Sequence, residues 1–208
     1  MDLFSQLENK SSIEFERFPL RDGEVLFMKN FLTEIEAQNY FKILNSTINW
    51  RQEEIKYYGK IYPVPRKTAW YGYEGFDYSY SGINCSPEPW TKELLNIKLK
   101  IEKLLPEENF NSVLLNLYRD GNDKVSWHAD DEKELGINPT IASLSIGVTR
   151  RFDLKHKDYP ELQYKFELTP GSLIIMKGAL QHNWLHQIPI QKKINQPRIN
   201  LTFRTIKM

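Results

Sequence analysis

Two kinds of hydrophobic spacing divide this chain. In two stretches before residue 110 the apolar positions recur at three and four residues; after it they alternate or fall into short apolar runs. Ala37, Tyr40, Phe41 and Leu44 share one helical face. In front of them Thr33-Glu34-Ile35-Glu36 has the Thr-x-x-Glu form of a capping box. The spacing predicts a helix over about 34–46. A second is predicted over about 90–105, preceded by Pro89, striped by Trp90, Leu94, Ile97, Ile101 and Leu104, and stopped by Pro106. Both stripes are core positions. Residues 20–31 alternate enough for a short strand pair.

From residue 111 onward the pattern predicts strands at about 112–118, 140–146, 151–155, 164–168, 172–176 and 198–203. Turn signals separate them, the sharpest being Asp120-Gly121-Asn122-Asp123 and Pro170-Gly171. Short strands at this spacing form sandwiches or jelly rolls, and two preceding helices would cover one sheet. The expected fold class is therefore mainly β with flanking helices. No repeat or linker breaks the chain, so residues 1–208 are expected to form one domain: about 1–54 as N-terminal support and about 111–206 as the β core.

Between the predicted helices lies an aromatic stretch, residues 55–82. It holds Tyr57, Tyr58, Tyr62, Trp70, Tyr71, Tyr73, Phe76, Tyr78 and Tyr80, interleaved with Lys56, Lys60, Arg66 and Lys67. Aromatic hairpins are often only core and sheet edge. Rings for stacking with cations for phosphates are also how single-stranded or extruded nucleotides are held. On residue types alone both readings stand.

Composition narrows the class without naming a partner. The chain has 208 residues, 40% of them hydrophobic and 26% charged, which is a globular balance. No apolar run is long enough to span a bilayer, so no membrane partner is expected. The polar, acidic start (Asp2, Gln6, Glu8) is not that of a signal peptide. The single cysteine, Cys85, excludes an intramolecular disulfide and fits a reducing, intracellular compartment. Net charge is only +1, yet the residues after Glu167 contain six cations and no acid. Such asymmetry is compatible with a face for phosphates.

Candidate chemistry starts at Trp127-His128-Ala129-Asp130. On a strand, His128 and Asp130 would point to one face and converge on a divalent metal. A third ligand is needed, and His182 and His186 both qualify on spacing. His156, between two lysines, reads as a solvated loop or a substrate contact. Two histidines and a carboxylate match the facial arrangement of non-haem Fe(II), with three positions left open; Zn²⁺ in a hydrolase is the competing reading. On the last predicted strand Arg198, Asn200 and Arg204 share a face, as Asn116 and Tyr118 do on another. Inward arginines are costly unless an anion meets them, and a dicarboxylate would satisfy two.

These residues, in this order, resemble the AlkB family of Fe(II)/2-oxoglutarate dioxygenases, most of all the homologues that repair double-stranded DNA. The matching pieces are Asn116-Leu-Tyr118, His128-Ala-Asp130-Asp131-Glu132, Pro170-Gly171-Ser172-Leu173, Trp184-Leu-His186 and Pro197-Arg198-Ile-Asn200-Leu-Thr-Phe-Arg204. Val64-Pro65-Arg66-Lys67 and Tyr78-Ser-Tyr80-Ser81-Gly82 match upstream, so the resemblance covers about residues 55–206.

The resemblance implies a double-stranded β-helix, or jelly-roll, core. It implies iron on His128, Asp130 and His186, and 2-oxoglutarate held by Asn116, Tyr118, Arg198, Asn200 and Arg204. O₂ is the second co-substrate. The implied activity is oxidative demethylation of 1-methyladenine and 3-methylcytosine in DNA, with decarboxylation of 2-oxoglutarate and release of formaldehyde. The same chemistry on RNA or protein, or a non-catalytic nucleic-acid-binding β-domain, are the alternatives. Residues 55–82 become nucleotide-recognition hairpins. Tyr80 is expected to stack on the flipped base, with Tyr78, Ser81 and Arg66 nearby and Asp131 and Glu132 at its polar edge. Tyr58 stands where duplex-repair members carry a wedging Phe. Lys192 and Lys193 match a loop that grips the opposite strand, although Gln191 stands where relatives carry Arg. Alkylated DNA is the expected partner, duplex favoured and single strand possible. A monomer is expected, in the cytoplasm of a bacterium or the nucleus of a eukaryote.

Overall fold

The structure is a computed structural model that describes residues 14–57, 59–75, 78–80 and 83–207; for residues 56, 57, 78–80 and 83–85 only the backbone is described. Sixteen strands are formed among the described residues. They are β1 (Glu16–Leu20), β2 (Gly23–Met28), β3 (Glu54–Tyr57), β4 (Lys60–Pro63), β5 (Lys67–Gly72), β6 (Tyr78–Tyr80), β7 (Ile83–Cys85) and β8 (Glu88–Pro89). After these come β9 (Ser112–Tyr118), β10 (Val125–His128), β11 (Ile141–Gly147), β12 (Arg150–His156), β13 (Gln163–Leu168), β14 (Leu173–Lys177), β15 (Trp184–Ile188) and β16 (Arg198–Arg204). The helices are α1 (Glu34–Thr47), α2 (Lys92–Glu102) and the single turn α3 (Leu180–Asn183).

Eight strands build a large sheet in the order β1-β2-β14-β11-β16-β9-β5-β8, and four build a small one, β10-β15-β12-β13. Chain neighbours such as β9 and β10, or β15 and β16, lie in different sheets, as a double-stranded β-helix requires. The hairpins β3-β4 and β6-β7 stand apart as two-stranded ribbons. Within residues 20–31 the strand pair is β2 with the end of β1, joined at Asp22, whose φ of 57° an Asp tolerates.

Period-2 alternation sorts β16 into two faces. Ile199, Leu201 and Phe203 point to the helices; Arg198, Asn200, Thr202 and Arg204 point between the sheets, and all seven are buried. On the helix side Leu44, Leu94, Ile97 and Ile101 pack on Val113, Leu115, Ile146 and Leu201. Each such side chain contributes roughly 1.5–3 kcal/mol when fully buried. Between the sheets Tyr118 and Met176 meet Phe152, Leu154, Trp184 and Ile188. This second core leaves one end of the sandwich polar, and the candidate site lies there.

Local chemistry fixes the helix starts. Thr33 caps α1, and Glu36 reaches back to the Thr33 N–H at 2.9 Å, completing the capping box. In α2 the cap is Thr91, whose side chain accepts from Leu94 N, so the helix begins two residues later than Pro89 and Trp90 predict. Trp90 stays outside it and lies parallel to Phe203, with ring centroids 6.3 Å apart. One turn needs its glycine: a Cβ at Gly121 would sit 1.9 Å from Gln191 O. That close approach locks loop 119–124 to loop 189–194. Among the described residues no helix is long and apolar enough to cross a membrane.

Candidate metal centre and adjoining cavity

His128 ends β10 and pairs in register with His186 on β15. Their ring centroids are 4.2 Å apart. Asp130 follows two residues beyond the end of β10, so strand alternation does not bring it to the imidazoles as the spacing predicts. Its backbone is held instead by Gln181, whose Oε1 accepts from Asp130 N at 2.9 Å. The carboxylate is fixed by Arg204, with Nη2 2.7 Å from Oδ2. One ligand atom from each of His128, Asp130 and His186 lies within 4.8 Å of the others.

Protonation suits a metal. His128 Nδ1 lies 2.8 Å from Ser126 O, and a carbonyl only accepts, so Nδ1 carries the proton and Nε2 offers its lone pair. That Nε2 is 3.8 Å from Asp130 Oδ1. Burial, helped by repulsion from His128, depresses His186 to about 3, so its ring is neutral at physiological pH. Burial alone would raise Asp130, but the charge of Arg204, which also donates a hydrogen bond to it, outweighs burial and holds the carboxyl at about 2. A carboxylate with two imidazoles is the facial donor set of Fe(II) sites. The residues present therefore fit a divalent iron.

Beside the triad a cavity opens between the sheets. The large sheet lines it with Asn116, Tyr118, Ser143, Arg198, Asn200 and Arg204; the small sheet adds Phe152 and Ile188. Arg198 closes one end. It is 1% exposed, its Nη2 donates to Ser145 Oγ at 2.8 Å, and the Tyr118 side chain is close enough to favour its charge. Its Nε and Nη1 are also buried and have no hydrogen-bonding partner among the described residues. Burial pushes this guanidinium down to about 10. A buried, under-satisfied arginine at the end of a polar cavity fits a carboxylate arriving from a ligand.

Several expectations land differently. The two inward arginines do not face two vacant carboxylate positions: Arg204 takes the carboxylate of Asp130. Asn200 lines the cavity, but its amide is engaged with Ser143 Oγ, Leu144 O and the Thr202 hydroxyl. Arg66, expected among the nucleotide contacts, is buried in the cavity wall and donates to Asn116 Oδ1 at 2.6 Å. His182 lies on α3, not on an extended face with His186, and its Nε2 accepts from Asn138 N. His156 is no solvated loop residue: it is 2% exposed, beside Trp184 and Tyr159.

On the nucleotide side, Asp131 is exposed and paired with Lys157 at 3.4 Å. Glu132 precedes a short 3₁₀ turn, Lys133–Leu135, and its Oε2 is buried with no hydrogen-bonding partner among the described residues. Lys192 and Lys193 are exposed in the β15–β16 loop. Gln191 turns inward, accepting from Arg151 N at 2.9 Å and Arg150 Nε at 3.2 Å. Tyr58 and Ser81, and the side chains of Tyr78 and Tyr80, lie outside the described residues. Gln181 and Arg150 are among the residues at the site that the sequence did not point to. For Arg150 a signal existed, since it alternates with Phe152 and Leu154 on the inward face of β12.

A model of the 2OG-Fe(II) oxygenase superfamily matches residues 24–204. The alpha-ketoglutarate-dependent dioxygenase alkB homolog 3 of Bos taurus is 39% identical over 209 residues, covering 96% of this chain and 72% of that protein. The DNA oxidative demethylase ALKBH2 of Bos taurus is 37% identical over 195 residues, covering 89% and 68%. A solved structure of OsALKBH1 superposes with a TM-score of 0.58 at 16% identity, covering 91% of this chain and 100% of that one, a likeness of fold. The chain belongs to the AlkB family of 2OG-Fe(II) oxygenases, enzymes that use Fe(II), 2-oxoglutarate and O₂.

Proposed function

We propose that this enzyme oxidatively demethylates N-alkylated nucleobases, 1-methyladenine and 3-methylcytosine, in DNA. The observation that carries it is the metal-ligand triad beside a cavity ended by Arg198, in a chain whose relatives include proteins named DNA oxidative demethylase. His128, Asp130 and His186 hold the iron. Arg198 and Tyr118 take the distal carboxylate of 2-oxoglutarate; Asn116, Asn200 and Arg204 shape the rest of its pocket. Bound there, Fe(II) with 2-oxoglutarate and O₂ supplies the oxidation that hydroxylates the N-methyl group, with 2-oxoglutarate decarboxylated to succinate.

The chain's own residues place the base. Tyr80 stacks on it, Tyr78 and Ser81 flank it, and Arg66 closes the wall behind. Glu132, with Asp131 beside it, sets negative charge at its polar edge. A methylated base is cationic, so both ring face and carboxylate favour it over a normal base. Asp130 and Glu132 lie two residues apart, so one segment reaches metal and lesion. Weakened pairing at the lesion lowers the cost of flipping it out. Tyr58 enters the stack, which favours duplex DNA. Lys192 and Lys193 meet the opposite strand, and the inward Gln191 leaves that grip weaker than an Arg would. The enzyme works as an intracellular monomer.

Protein supplied with Fe(II), 2-oxoglutarate and methylated oligonucleotides should release formaldehyde, with duplex DNA ahead of single-stranded DNA and RNA. Absence of formaldehyde from every methylated nucleic acid would overturn the proposal; a preference for RNA would reassign the substrate. His128→Ala and Asp130→Ala should each abolish turnover.

A further inference from the structure

Arg150 is a buried charge that the mechanism above does not use. It is 0% exposed at the start of β12, in the small sheet. Its guanidinium donates to Asp120 O at 2.9 Å, Asp123 O at 2.8 Å, Pro189 O at 2.9 Å and Gln191 Oε1 at 3.2 Å. All four acceptors are neutral. Among the described residues no carboxylate makes an ion pair with it; Asp123 is already bound by Arg119. Buried cations are expected to be paired, because desolvation of an unpaired one is costly.

The geometry shows where its charge is directed. The Arg150 guanidinium carbon lies 5.5 Å from the centroid of the Tyr118 ring, and that of Arg198 lies 5.2 Å from it. Two cations from opposite sheets therefore share one tyrosine at the closed end of the cavity. Arg150 and Arg198 also repel each other, which adds to the depression of Arg198. Arg198 keeps two buried nitrogens without partners among the described residues. The Asp120 and Asp123 carboxylates are near enough to favour the Arg150 charge, but Asp123 is taken by Arg119, so this end of the cavity holds two guanidiniums that no described carboxylate pairs directly.

We propose that Arg150 is a positioning and selectivity residue for the co-substrate: through Tyr118 it makes the closed end doubly cationic, selecting 2-oxo acids that carry a second, distal carboxylate. The inference rests on the reading of this cavity as the 2-oxoglutarate site and adds a residue to it from the opposite sheet. Two charges near one carboxylate in a low-dielectric pocket discriminate dianion from monoanion more than one does. Arg150 itself touches no co-substrate.

Removing Arg150 leaves four acceptors unmet and invites unfolding, so the decisive variant is Gln191→Glu. It keeps the acceptor that Arg150 and Arg151 N use and adds a negative charge beside the guanidinium. A purely structural role would be undisturbed by it. The measurement is calorimetric titration of Mn(II)-loaded protein, without nucleic acid, with 2-oxoglutarate and with 2-oxobutyrate, which lacks the distal carboxylate. Gln191→Glu should raise the Kd for 2-oxoglutarate about 5-fold or more, the lower end of a coupling between two positions, and leave that for 2-oxobutyrate within twofold. Arg150→Lys, which keeps the charge and loses the fork, should keep the preference for the dicarboxylate even where both affinities fall. Equal changes for both acids, or no change, in Gln191→Glu would overturn the role of Arg150. A wild type that binds the two acids equally would overturn the co-substrate reading itself, and the inference with it.

Discussion

At the residue scale the centre depends on how Asp130 is held. Its carboxylate meets Arg204 and its N–H meets Gln181, which is fully buried and also donates to Met176 Sδ at 3.4 Å. Gln181→Leu keeps the volume and removes the acceptor. The Asp130 N–H is then orphaned at a cost of about 1–3 kcal/mol. Second partners of metal ligands change affinity by about 10–100-fold, so Mn(II) binding should weaken by that factor when titrated against a competing chelator. Affinity within twofold of wild type would show that Arg204 alone fixes the ligand. His128 and Asp130 were legible in the sequence because an imidazole and a carboxylate two residues apart are a metal-ligand signal, although the strand that spacing predicts ends at His128. Gln181 was not: nothing about a glutamine between Leu180 and His182 says that α3 turns it toward a segment 51 residues earlier. The flanking lysines of His156 suggest solvent, whereas β12 turns it inward among aromatic rings.

At the scale of elements, local signals predicted best where one pattern acted alone. Strand β9 runs over the same residues that alternation predicts, and the capping box starts α1 where Thr33 and Glu36 place it. At α2 two signals competed, Pro89 and Thr91, and the hydroxyl cap prevailed because it satisfies Leu94 N. Asp130 shows the other failure: β10 stops at His128, and tertiary contacts complete what alternation cannot. The α1 cap also carries a link to α2. Glu36 is held at about 2, first because Lys100 donates to it and then because Thr33 N does. Thr33→Ala should cost about 1 kcal/mol in urea unfolding. Glu36 is depressed from 4.5, so its stabilisation is full above pH 4.5 and lost as pH falls through about 2. The wild type should exceed Glu36→Gln at neutral pH by at most about 1 kcal/mol, since the pair is partly exposed. That gap should close between those two pH values; a gap constant down to pH 2 would mean that the charge plays no part.

At the scale of the whole molecule, two sheets are closed over a core that is apolar at one end and cationic at the other. Arg198 and Arg150 are both buried in that second region, and neither is paired with an acid among the described residues. Such an arrangement costs stability in the free protein and returns it when an anion binds. Arg198→Met tests this directly. Without ligand the variant should melt at or above the wild-type temperature, because a buried charge with two nitrogens unmet is replaced by a side chain suited to the interior. Mn(II) should stabilise both proteins alike, since the triad is intact. Adding 2-oxoglutarate at about 100-fold its wild-type Kd should stabilise the wild type by about 2.7 kcal/mol, roughly 5–10 °C for a chain of this size. The same addition should leave Arg198→Met almost unmoved. A variant less stable than wild type without ligand would show that Arg198 is mainly a strut between β16 and Ser145. A variant that still gains the full 2-oxoglutarate increment would place the distal carboxylate elsewhere in the cavity.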